Sequence, residues 1–328
     1  MSHAHAPITP TPPEPAGTTR SDDAAVIPTK IAGDMTHRSA LTVLRFPDEF
    51  DLLDDGQMYV RRDYRQLFEQ RGWLTCRDVM VDQSVLLDRR RHDRENCFVD
   101  FPSRAGHDAT VRGFLKRHTT HRRKCRGFRE GGKQPVISPG LSEALAVAVC
   151  QCNNVPVANV IAAGQHVSND TPGAIDSFFI SEQIVDGLPA DWFWESHIVG
   201  DKSSDGGARR RALLASLAHA ARSLHAAHLF HRDLYWCHFF VREPATGQFE
   251  TYLIDLQRLH RAQHGQLRWR VKDIAQFRVS APPSVNGDDL HYWFARYRGV
   301  QQLSTHDRLL CAATGVREWF YHWKDGRG

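Results

Sequence analysis

Residues 208–230, ARRRALLASLAHAARSLHAAHLF, place Leu213, Leu217, Ala220 and Leu224 at helical spacing and stop directly before HRDLYWCHFFV. Two β-rich runs, HFFV and TYLIDL, joined by a loop containing Thr246 and Gly247, then predict a hairpin. A helix, a loop carrying Asp233 and a hairpin whose second strand ends at Asp255 must bring two carboxylates to one mouth. The rest of the chain has to pack around that unit. With 328 residues, 41% of them hydrophobic, there is material for a two-lobed domain with a real core.

Ahead of this unit, residues 1–40 are rich in Pro, Thr and Ala with few large apolar side chains, so burial cannot repay the entropy of ordering them, and a disordered tail is expected. Residues 49–80 mix charges around Leu52, Tyr59, Leu67, Phe68 and Trp73, and read as a helix docking on the domain edge. SVLLD, CFVDF and TVRGFLKRH are short runs separated by charged turns, the pattern of a small antiparallel sheet. SPGLSEALAVAVCQC then starts a helix, with Ser138 as cap, Pro139 at the first helical position and Leu141, Leu145, Ala148 and Cys152 along one face. VANVIAAG and SFFISEQI give two more buried strands, for an order β-β-β-α-β-β. From about residue 286, Leu290, Trp293, Tyr297, Leu309, Leu310, Trp319 and Phe320 mark terminal helices. No internal repeat is visible.

His-Arg-Asp after a helix and before a hairpin ending in Asp is the layout of a kinase catalytic centre. Phosphoryl transfer from ATP needs one carboxylate to accept the proton of the attacking hydroxyl and another to hold Mg²⁺ against the phosphates. Lys116 sits near the end of a strand, with Phe114 on its face and Val111, Gly113 and Leu115 on the other, as the phosphate-binding Lys of a kinase does. Glu143 follows in the next helix, where it would fix that Lys. A structural ion pair at Asp233, an ordinary strand-edge Lys and a first-turn Glu favoured by the helix dipole are the plain alternatives for each residue alone. The order of the four residues favours the functional reading.

HRDLYWCHFFV, YLIDLQRLHR and RWRVKDIAQF resemble the lipopolysaccharide kinase family, the Kdo and core-heptose kinases of the protein-kinase-like superfamily, over roughly residue 60 to the C-terminus. The resemblance implies an α+β, bilobal fold: an N-lobe antiparallel sheet plus one helix over 41–182, and a mainly helical C-lobe with the catalytic loop over 183–328. It implies transfer of the γ-phosphate of ATP to a heptose or Kdo hydroxyl of the lipopolysaccharide inner core, with ATP and Mg²⁺ as cofactors. Asp233 would be the catalytic base, Asp255 the Mg²⁺ carboxylate, Lys116 the phosphate-binding residue and Glu143 its partner. His238 stands where protein kinases have Asn, and would hydrogen-bond Asp233, touch the metal or order the loop. Arg232 is grouped with Asp233 and His238 as catalytic. Asp273 matches a family position and would anchor the loop. Ser181 to Ile184 would be the hinge, with Glu182 and Ile184 meeting the adenine.

The pattern departs from protein kinases: no G-x-G-x-x-G precedes Lys116, Gln257 stands where D-F-G has Gly, and no A-P-E follows. A glycan or small-molecule acceptor therefore fits better than a protein, and the other readings are a protein kinase and a catalytically silent pseudokinase scaffold. Two basic clusters, Arg89, Arg90, Arg91 and Arg94, and Arg117, Arg122, Arg123, Lys124, Arg126 and Arg129, read as solvated loops or as attraction to anionic headgroups and core phosphates. A net charge of +4 and the lack of aromatic-interleaved basic motifs give no expectation of nucleic acid. No apolar run approaches the roughly 18 residues of a membrane-spanning helix, and the seven cysteines lack a disulfide or metal spacing. The expected location is the cytoplasm, peripheral on the inner face of the inner membrane. His118 and His121 are a weak candidate metal pair.

Overall fold

The computed structural model describes residues 49–91, 93–102, 110–125, 136–201, 203, 205–244 and 247–325, with side chains up to residue 315. The expected tail over 1–40 lies outside them, as do Thr246, Arg126 and Arg129.

β1 (Phe50–Leu53) and β2 (Met58–Arg61) pair antiparallel around Asp54, Asp55 and Gly56, all at positive φ. Short acidic side chains and glycine tolerate that region. The reading of 49–80 as a docking helix is thereby corrected. Helix comes only afterwards, as the six-residue α1 (Arg65–Gln70) and α2 (Cys76–Val81), the latter started by a Thr75–Asp78 capping box. Strands of four residues show too little alternation to be told from a turn of helix.

β3 (Leu86–Arg91), β4 (Arg94–Phe101), β5 (Val111–His121), α3 (Pro139–Cys152), β6 (Val160–Val167) and β7 (Ala174–Glu182) follow. The seven strands form one sheet in the order β1-β2-β6-β7-β5-β4-β3, antiparallel at every junction. Alternation sends Leu115, Phe178 and Ile180 to one face, against Tyr64, Phe68 and Trp73. Lys116 and Phe179 therefore look the other way, toward α3. Ser138 accepts the Leu141 N–H at the start of α3, and Gly140 lets the helix lie against β7: a Cβ there would stand 2.9 Å from the Phe178 backbone.

The second half holds β8 (Leu188–Pro189), α4 (Ala190–Phe193), a π-turn over Trp194–Ile198, α5 (Gly206–Ala226), β9 (Leu229–Phe230), β10 (Phe239–Arg242), β11 (Glu250–Leu253), β12 (His260–Arg261), α6 (Gln266–Val279), α7 (Gly287–Arg298) and α8 (Thr305–Asp325). The predicted helical stripe Leu213, Leu217, Ala220 and Leu224 is fully buried, and β10 and β11 are the predicted hairpin. Trp236 stacks on Phe277, Phe277 on Trp293 and Trp293 on Tyr297, at centroid separations of 5.0, 4.0 and 5.4 Å. Each such pair contributes about 0.5–1.5 kcal/mol beyond its burial. The stack fastens the loop after Asp233 to α6 and α7. No helix among the described residues is long and apolar enough to cross a membrane.

Candidate active site

The loop between β9 and β10 is held from beneath. Asp273, fully buried on α6, accepts hydrogen bonds from the backbone N–H groups of His231 (2.8 Å) and Arg232 (2.8 Å) and lies 3.1 Å from His225 Nε2. Arg232 has φ +71, a conformation costly for a long side chain, and the Asp273 carboxylate and buried neighbours over-determine it. His231 donates through Nε2 to the Ile254 carbonyl at 2.9 Å, tying the loop to the end of β11, and its burial pushes the imidazole pKa down. Arg232 lies over the Trp269 ring, 5.2 Å from its centroid. The ion partner of Asp233 is instead Arg258, whose Nη1 meets both carboxylate oxygens at 2.9 and 3.0 Å.

Across the cleft, Lys116 Nζ donates to Glu143 Oε1 at 2.5 Å and stands 3.7 Å from Asp255 Oδ1. Lys116 and Glu143 are both buried, and removing either partner would leave the other buried without its hydrogen-bonded mate. Asp255 has φ +58, which turns its side chain out of the strand line toward Lys116. Burial would raise its pKa, but Lys116, His238 and Arg94 outweigh burial and hold it below the usual carboxylate range. His238 joins the two carboxylate loops. Its Nδ1 is 2.7 Å from the Asp233 carbonyl, which can only accept, so Nδ1 carries the proton. Its Nε2 faces Asp255 Oδ2 at 3.7 Å. At that separation the two are close but not hydrogen-bonded.

Two cavities meet at Asp255. One, of about 170 Å³, is mostly apolar: Phe98, Phe114, Val147, Phe179, Ile184 and Leu253 line it, with Lys116, Glu143 and Glu182. The other, of about 270 Å³, is lined by Arg89, Arg91, Arg94, Asn96, His238 and Asp255. Ile184 and Glu182 thus lie on the first cavity, as the hinge expectation requires. The Glu182 carboxylate, however, is taken up by Arg61, by Tyr64 Oη (3.0 Å) and by Asn159 Nδ2 (2.8 Å). These hydrogen bonds outweigh burial and lower its pKa. Its backbone N–H is engaged as well, donating to the Asn159 carbonyl at 2.8 Å.

The sequence reading missed three residues. Gln257 donates to Glu143 Oε2 at 3.0 Å, closing the Lys116–Glu143 pair from the other side. Arg258 orients Asp233. Arg117, read as part of a surface patch, is buried, donates to the Asp82 carbonyl at 2.7 Å and pairs with Glu95 at 3.5 Å. It is an internal strut, because its odd-numbered place on β5 faces the α1 and α2 side. The candidate pair His118 and His121 falls on opposite faces of the same strand. His118 is buried beside Gln257, and burial with the Arg94 and Lys116 charges lowers its pKa to about 3. Among the described residues, no group of three or more His, Cys, Asp and Glu could hold a metal ion.

Residues 154–297 match the model of the Lipopolysaccharide kinase (Kdo/WaaP) family. The resemblance to the lipopolysaccharide kinases holds. Over 68 residues the chain is 41% identical to the lipopolysaccharide core heptose(I) kinase WaaP of Escherichia coli K12, covering 20% of this chain and 26% of that one. Over 140 residues it is 27% identical to the protein of the same name from Pseudomonas aeruginosa PAO1, covering 41% and 50%. The chain thus spans between a quarter and a half of the length of the curated relatives it matches. A solved structure, WaaP in complex with acyl carrier protein, superposes with a TM-score of 0.56 at 19% identity, covering 77% of this chain and 95% of that one. The α+β fold expected from the sequence is borne out by that likeness.

Proposed function

We propose that this chain is an ATP-dependent kinase that transfers the γ-phosphoryl group to a sugar hydroxyl of the lipopolysaccharide inner core. The observation that carries this reading is the convergence of Lys116, Glu143 and Asp255 on one side of a cleft, with Asp233 tied through His238 on the other. A scaffold gains nothing from burying a Lys–Glu pair at the edge of a cavity. Heptose is the first acceptor to try, since the curated relatives carry that name, and Kdo the second.

In this reading the two lobes, 41–182 and 183–328, meet at Glu182 to Ile184, and the adenine lies in the apolar cavity against Ile184 and the Phe98–Phe114 pair. Lys116, aimed by Glu143 and Gln257, steadies the α- and β-phosphates. The attacking hydroxyl gives its proton to Asp233 as its oxygen bonds to the γ-phosphorus and the bond to the β-phosphate oxygen breaks. Arg258 and Gln276 hold the Asp233 carboxylate: Oδ1 accepts from both, and Oδ2, which accepts from Arg258 alone, keeps a lone pair for the acceptor. The residues present suit Mg²⁺, which binds through one or two carboxylates plus substrate phosphates and water. Asp255, ionised and partly exposed, would hold it beside His238 Nε2, and the ion would supply charge neutralisation at the phosphates. The basic, partly exposed pair β3–β4 would sit at the cytoplasmic face of the inner membrane, near an anionic glycolipid.

The test is mass spectrometry of purified lipopolysaccharide core incubated with the chain, ATP and Mg²⁺, beside Asp233→Asn. A phosphate-sized mass gain with the native chain, reduced by about 10²- to 10⁴-fold in the variant, is expected for loss of a general base. Phosphate on added protein instead of glycan, or no transfer and no ATP consumption, would reject the proposal.

A further inference from the structure

The hairpin β3–β4 occupies the edge of the sheet above Asp255, where a protein kinase carries its glycine-rich loop. This chain has no such glycines. Its register pairs Arg89 with Asn96 and Arg91 with Arg94, so alternation puts these four side chains on one face. Arg90 and Glu95 fall on the opposite face and pair with each other at 2.7 Å. Like charges directly opposite each other on a ribbon are destabilising, and Arg91 against Arg94 is such a pair. Among the described residues none of Arg89, Arg91 and Arg94 has a carboxylate partner, and Arg94 Nε donates only to Asn96 Oδ1 at 2.9 Å. The three guanidinium groups instead line a cavity of about 270 Å³ that Asp255 and His238 close from below. Three guanidinium charges gathered on one face, with Asp255 at the cavity floor to offset them only in part, are arranged for an anion. Guanidinium forks match phosphate oxygens two at a time.

Resting on the kinase reading above, we propose that the face formed by Arg89, Arg91, Arg94 and Asn96 grips the terminal phosphates of the nucleotide through side chains, replacing the backbone N–H groups of a glycine-rich loop. The order of the groups fits. A nucleotide with its ring against Ile184 runs its phosphates past Lys116 and Asp255, and Asp255 is the wall the two cavities share. The face is then specific for the number of phosphates.

Calorimetric titration of the full chain with AMP, ADP and ATP in Mg²⁺ at fixed salt tests this. The native chain should bind ATP at least about tenfold more tightly than AMP. The triple variant Arg89→Gln, Arg91→Gln, Arg94→Gln should lose about 10- to 100-fold in ATP affinity and leave AMP affinity unchanged, which also shows that it folds. Arg90→Gln, on the other face, should change neither. Equal binding of AMP and ATP by the native chain would overturn the inference and leave the kinase reading standing. So would a triple variant that keeps ATP affinity but shows a raised KM for the anionic glycan acceptor, which would assign the face to that acceptor. A native chain that binds none of the three nucleotides removes both.

Discussion

The floor and the roof of the cleft are built on opposite rules. In the floor, the loop carrying Asp233 has its backbone donors claimed by Asp273, its histidines claimed by carbonyls and its carboxylate claimed by Arg258. In the roof, the β3–β4 hairpin leaves β3 exposed along its length and gathers guanidinium groups facing a cavity. The backbone of a floor of this kind is set by folding, and what folding leaves unmatched are side-chain atoms, among them His231 Nδ1, Arg232 Nε and Trp236 Nε1. On the proposal made above, a roof of this kind is finished by a ligand, so that geometry is fixed on one side and charge is held in readiness on the other.

The largest break in this comparison is Asp273→Ala. It strands the His231 and Arg232 N–H groups and His225 in a dry interior, and should cost roughly 3–5 kcal/mol in a denaturant midpoint series. A loss below about 1 kcal/mol would mean the floor is not held as described. A second, smaller break is Gly140→Ala. The new Cβ would meet the Phe178 backbone at 2.9 Å, and main chain cannot swing aside. We expect a loss of about 1–3 kcal/mol and, with α3 pushed off β7, weaker nucleotide binding through a displaced Glu143. Stability lost with nucleotide affinity intact would separate the two.

A third test is a pH slope confined to acid. His118 has its folded pKa lowered to about 3 against an ordinary value near 6.5. Between those values the unfolded chain binds a proton that the folded chain refuses, so this contribution is present above pH 6.5 and is lost as pH falls toward 3. Thermal melts of the native chain should lose stability across that window by about 1 kcal/mol per pH unit more than His118→Gln. His231 shifts the same way and remains in both proteins, so only the difference between the slopes is diagnostic. Equal slopes would place His118 in contact with water.

How much was legible in the sequence follows the same division. Asp233, Asp255, Lys116 and Glu143 were named from local pattern and order, because the helix, the hairpin and the strand that carry them have strong periodicity, whereas Asp273 was named only through the family resemblance. Their convergence was expected, and the distances bring Lys116, Glu143 and Asp255 together. The first hairpin was missed even though Asp55-Gly56 is a turn signal, since β1 and β2 are four residues long and two short helices follow. Arg258, Gln257 and Arg117 were missed for a different reason. Whether an Arg is a strut, a latch or a solvated side chain depends on which strand face and which distant partner it meets, and composition treats all three alike. Arg89, Arg91 and Arg94 were seen as a cluster, but only the register divides them from Arg90.

The measurement that tests the contrast most directly is hydrogen–deuterium exchange with and without ATP and Mg²⁺. Amides of residues 230–234 should be protected already and change little, while those of the β3–β4 hairpin and of residues 181–184 should gain protection when nucleotide is added. Protection appearing in 230–234, or a hairpin that exchanges identically in both states, would contradict a finished floor beneath a roof completed by phosphate.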